Sequence, residues 1–126
     1  MEVFGSRWKN HWQRIAADWK SRVSDDDVVL IAGDTSWAMH LKDAQEDLDQ
    51  IRALPGRKIM IRGNHDYWWE SAGKLNRMDA ENKIQYLYGS TAVLGDKEIA
   101  ICGTHGWVCP GDIHYQEDRD AKPYRR

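Results

Sequence analysis

Cysteine, proline and phenylalanine are scarce in this chain: two, three and one among 126 residues. Two cysteines cannot build the disulfide framework of a small secreted domain. Cys102 and Cys109, with His105 between them, read as unlinked thiols in a reducing compartment. A structural zinc site needs four ligands, and no C-x-x-C pair accompanies them. Long apolar runs are missing too, none approaching the roughly 20 residues needed to span a bilayer. The opening residues, Met1 to Gly5, lack the basic stretch and apolar core of a secretory signal, so the expected address is cytoplasmic. Neither sign of charge dominates. With 18 basic and 20 acidic residues there is no general pull toward nucleic acid or an anionic membrane, and Lys122, Arg125 and Arg126 make only a small basic tail. A P-loop, a G-x-S-x-G elbow and an H-E-x-x-H helix are also absent.

What is present begins with seven tryptophans, an excess for this length. From about Arg7 to Val23 the apolar residues Trp12, Ile15, Ala16, Trp19 and Val23 recur at helical steps, and Trp8, Trp12 and Trp19 are assigned to core packing. Ser24-Asp25-Asp26-Asp27 then turns the chain. It lacks the alternating spacing and distal glutamate of a calcium loop. A strand of Val28 to Ala32, a helix of about Met39 to Leu54 stopped by Pro55-Gly56, and a strand of Lys58 to Arg62 make a βαβ unit. Both apolar runs read as buried on two faces, as in a parallel sheet covered by helices. A short helix over Trp68–Met78, a strand over Ile84–Tyr88 and a hairpin of Thr91–Leu94 with Glu98–Cys102 follow. From Gly103 to Arg126 the pattern dissolves into polar sequence.

Both strands of the βαβ unit end in polar chemistry. The first runs into Gly33-Asp34 and the second into Gly63-Asn64-His65-Asp66. Ligands of open α/β sheets sit outside the carboxyl ends of strands, so Asp34 and Asn64 are expected to project to one place. A carboxylate can bridge two cations and an amide carbonyl adds a neutral oxygen, while His65 can carry a proton near neutral pH. Asp66, beside it, is positioned in sequence to fix the ring's tautomer. Gly-Asp after a strand is also common turn chemistry. The pair, at this spacing, is what carries the functional reading.

The sequence strand-Gly33-Asp34, helix, strand-Gly63-Asn64-His65-Asp66 resembles the calcineurin-like metallophosphoesterase superfamily. Its wider text, Gly33-Asp34-Thr35-Ser36-Trp37-Ala38 with Tyr67-Trp68-Trp69, is similar to a bacterial branch of predicted phosphohydrolases. The resemblance implies a four-layer α/β/β/α sandwich with a dinuclear centre of manganese, iron or zinc. It implies hydrolysis of a phosphomonoester or phosphodiester, on a small molecule or a polymer, by metal-bound water or hydroxide. Asp34 matches the bridging aspartate, Asn64 the asparagine ligand, His65 the histidine near the leaving group and Asp66 its acidic companion. The superfamily's Asp-x-His element and its Gly-His-x-His element find no counterpart, and His105 stands in neither context. The expectation is therefore a partial domain over residues 1–126, with Met1 internal and with its first strand and C-terminal half missing. Activity is expected to be impaired. The alternative is a non-catalytic remnant or interaction module that keeps the fold without a complete metal site. Substrate, metal and oligomeric state stay open.

Overall fold

A computed structural model describes residues 5, 8–79, 81, 83–95, 99–106 and 108–124, the side chains of 122–124 excepted. The Asp96-Lys97 turn and the basic tail of Lys122, Arg125 and Arg126 thus lie outside the described residues or side chains.

Helix α1 (His11–Arg22) precedes strand β1 (Val28–Ile31), helix α2 (Leu41–Arg52) and strand β2 (Arg57–Ile61). Helix α3 (Ala72–Met78), strand β3 (Ile84–Leu87) and the strands β4 (Ser90–Leu94) and β5 (Ile99–Gly103) follow, with helix α4 (Glu117–Tyr124) last. β1, β2 and β3 form a parallel sheet in that order, with Leu30 beside Ile59 and Met60 beside both Ile31 and Tyr86. β4 and β5 pair antiparallel, Ser90 opposite Gly103.

Strand side chains alternate between faces, and this alternation sorts the core into two. On one face Met60, Ile84 and Tyr86 pack with Leu41, Ala44, Leu48 and Ile51 of α2, with Leu75 of α3, and with Trp68 and Trp69. On the other, Ile59 and Leu87 pack with Ala92 of the hairpin, joined by Ile61, Leu94 and Ile101. Helices, parallel sheet and hairpin are thus three successive layers of a mixed α/β fold. Each large buried side chain contributes about 1.5–3 kcal/mol.

Lys58 alternates onto the helix face yet carries a charge. Its ammonium ends the problem locally by donating to the Leu54 and Arg52 carbonyls, the unpaired oxygens at the end of α2. Burial pushes its pKa below the ordinary lysine value.

Several expectations need correction. β1 is covered on one face only: as the edge strand of the described sheet it leaves Leu30 61% exposed, because the hairpin lies over β2 and β3 and stops short of it. The α1 stripe is divided. Trp12 packs against the core and Trp19 donates its indole N–H to the Pro55 carbonyl at 3.0 Å, but Trp8 and Ile15 are exposed. α3 starts at Ala72, not Trp68, because Ser71 accepts from the Lys74 N–H as its N-cap while Trp68 and Trp69 are drawn into the core. The polar C-terminal stretch holds a helix, α4, whose first turn carries Glu117, Asp118 and Asp120 where a helix dipole favours acid. No helix among the described residues is long and apolar enough to cross a membrane.

Candidate active site at two strand ends

The loops leaving β1 and β2 touch through their backbones. A Cβ at Gly33 would stand 2.1 Å from the Gly63 nitrogen, and one at Gly63 would stand 2.1 Å from Asp34 Oδ1. Only glycine permits such an approach. Gly33 has φ +94° and Asp34 φ +54°, the latter a left-handed conformation that a non-glycine residue holds only when its surroundings fix it.

Asp66 is what fixes it. Its side chain is buried completely, at 0% exposure, and its carboxylate accepts five hydrogen bonds. Oδ2 accepts the Asp34 and Gly63 backbone N–H groups, both at 2.8 Å. Oδ1 accepts the Thr35 N–H and the Trp68 indole N–H, each at 2.9 Å, and the Thr35 hydroxyl at 3.2 Å. One carboxylate thereby ties the end of β1 to the end of β2. The expected contact between Asp66 and the imidazole is not made. Asp66 turns into the protein while its neighbour His65 turns outward, and the aspartate's oxygens are spent on the loops.

The imidazole has a different carboxylate. His65 Nδ1 lies 3.5 Å from Asp34 Oδ2 and 3.1 Å from the side-chain amide nitrogen of Asn64. Asp34 Oδ1 also accepts the His65 backbone N–H at 2.9 Å. Because Asp34 and Asn64 both reach the same ring nitrogen, the two strand-end side chains meet at one rim of the sheet. All three are exposed enough for a ligand to reach them. The Asn64 amide carries an oxygen as well as a nitrogen, and half a turn of the group presents that oxygen instead.

Two aromatic rings flank this group; the Tyr67-Trp68-Trp69 cluster reads in sequence as core packing or a wall beside a metal pocket, whereas Trp37 has no role of its own there. Trp37 lies with its ring 5.8 Å from that of His65 at an interplanar angle of 34°, and Tyr67 meets it edge-on at 6.2 Å. Tyr67 forms the wall beside the site, whereas its neighbours Trp68 and Trp69 went to the core. The one signal for Trp37 was its place three residues after Asp34. His105 lies in the loop just beyond β5.

Carboxylate and amide oxygens suit hard or borderline divalent cations in kind. In number they fall short, because among the described residues no three His, Cys, Asp or Glu side chains converge. Two donors do not fit a dinuclear centre by themselves.

The family model for calcineurin-like phosphoesterases matches residues 6–124. The chain belongs to that family. No curated protein and no solved structure matches it. Membership makes phosphate esters the substrate class and divalent metals the family's usual companions. The layered α/β arrangement agrees with part of the calcineurin-like fold.

Proposed function

We propose that this chain carries the phosphate-facing half of a phosphoester-hydrolysing site, with Asp34 and Asn64 as two of its metal-binding side chains and His65 as the proton donor. The observation that carries the reading is the meeting of Asp34 and Asn64 at one imidazole nitrogen, at the carboxyl ends of adjacent parallel strands. As a water oxygen bonds to phosphorus and the ester's phosphorus–oxygen bond breaks, His65 delivers a proton to the departing oxygen, a contribution of about 10²–10⁴-fold. Asp34 orients that ring through Nδ1, the role expected of Asp66 in sequence; Asp66 holds the loops on which all three groups stand. A cation site would need donors beyond these two.

The shortfall of donors favours one competing reading, a phosphoesterase fold that retains its loops without catalysis. Hydrolysis of an aryl phosphate in the presence of manganese, together with a calorimetric manganese titration, separates the two. Turnover that drops at least about 100-fold in both Asp34→Ala and His65→Ala supports the enzyme. Turnover indifferent to both substitutions removes the proposed roles. Absence of turnover and of manganese heat together leaves the non-catalytic reading standing.

A further inference from the structure

Trp37 has a second neighbourhood. On the side of the 34–38 loop that faces α2 lies a cavity of about 560 Å³, which Thr35 and Trp37 line together with Trp12, Asp43, Asp47 and Gln50. Thr35 is bonded to Asp66, so the cavity begins where the strand-end site is anchored. Asp43, Asp47 and Gln50 recur at helical steps and share a face of α2. Asp47 is already held in place by the Ser36 hydroxyl at 2.5 Å. A volume of this size belongs to the range that holds small organic ligands.

The wall chemistry decides what would enter. Two carboxylates repel a phosphate, and among the described lining residues only His11 is basic, so the phosphate stays at the strand ends. Two indole rings offer flat apolar surfaces, and the carboxylates and the Gln50 amide accept N–H groups. Trp37 is 65% exposed and Tyr67 53%, in a protein that buried Trp68 and Trp69 in its core. A large ring left open beside a reactive group is a surface for stacking. With His65 as the proton donor, the group carried by the departing oxygen meets Trp37, whose ring lies 5.8 Å from that of His65.

We infer that the substrate's leaving group carries a planar heteroaromatic ring with N–H donors, stacked on Trp37 and directed into this cavity toward Asp43, Asp47 and Gln50. The inference deepens the phosphoesterase reading and rests on it for the direction of the leaving group; the ring site itself stands on the cavity.

Three probes separate the parts: adenosine, which has the ring alone, ribose 5-phosphate, which has the phosphate alone, and adenosine 5′-monophosphate, which has both. Calorimetric or ligand-detected NMR titration of the full chain with manganese is the readout. Adenosine should bind, and Trp37→Ala should weaken it about tenfold while leaving ribose 5-phosphate unchanged. Asp43→Asn, on the exposed surface of α2, should weaken adenosine as well and checks the result should the tryptophan variant fold poorly. Adenosine binding without ribose 5-phosphate binding would sink the phosphoesterase reading and keep the ring site. Adenosine that fails to bind, or binds both variants as it binds the parent, overturns the inference. So does a Trp37→Ala variant that loses turnover on an aryl phosphate while binding adenosine normally, since that is the behaviour of a residue that only positions His65.

Discussion

Asp66 accepts five hydrogen bonds and joins the ends of two strands. Three of its five bonds come from backbone N–H groups, which have no alternative partner once the loops are closed. In Asp66→Asn one oxygen becomes an NH₂ that faces those donors, and buried N–H groups lose their acceptor. The expected cost is about 3–5 kcal/mol, at the severe end for one substitution, read from urea unfolding. Asp34→Asn, half-exposed, should cost under about 1 kcal/mol. Equal costs for the two would show that the tie between the strands is not what holds them. The Gly-Asp and Gly-Asn-His-Asp motifs were legible in the sequence because their residue types announce turns and ligands. That the last aspartate serves the backbone was not legible, since the distinction lies in which way one side chain points. Tyr86 is a second residue whose state depends on its surroundings. Burial raises its phenol to about 12, against the partial opposition of the nearby Arg52 guanidinium. The folded state therefore keeps the proton longer than the unfolded chain does. The stability this contributes is whole below about pH 10 and is lost as pH rises toward 12. A spectrophotometric titration should show a late tyrosine that Tyr86→Phe removes; a variant with an unaltered titration curve would refute the assignment.

Among the elements, β1 and β2 read alike in sequence as apolar runs, yet they sit in unlike places. Ile59 and Leu87 are enclosed between sheet and hairpin, whereas Leu30, beside Ile59 in register, is open to solvent. Leu87→Ala should cost about 2–5 kcal/mol, and Leu30→Lys should change stability by less than about 0.5 kcal/mol while lowering aggregation at the sheet edge. Chemical denaturation and light scattering measure the two halves of this prediction. A Leu30→Lys variant as damaged as Leu87→Ala would mean that β1 is covered after all. Hydrophobic composition identified the strands and α2 because their periodicity is local. Coverage was invisible because it depends on how far the hairpin extends over the sheet. The start of α3 was misread for a related reason: Trp68 and Trp69 satisfy a helical pattern, and the core claimed them as loop residues instead. α4 escaped notice because Ala121 and Tyr124 are too few to mark an apolar stripe; its signal was the acidic first turn.

At the scale of the whole molecule, the described residues form two cores that share the central sheet, one against α2 and α3 and the other against the hairpin. The βαβ unit was the most legible property at this scale, since strand, helix, strand admits few arrangements, whereas the hairpin's cover of the second face, where helices were expected, was not.

The rivet formed by residue 66 is made wholly of groups the polypeptide supplies itself, so the rim owes its shape to no ion. A chelator should accordingly leave the architecture of the two loops unslackened.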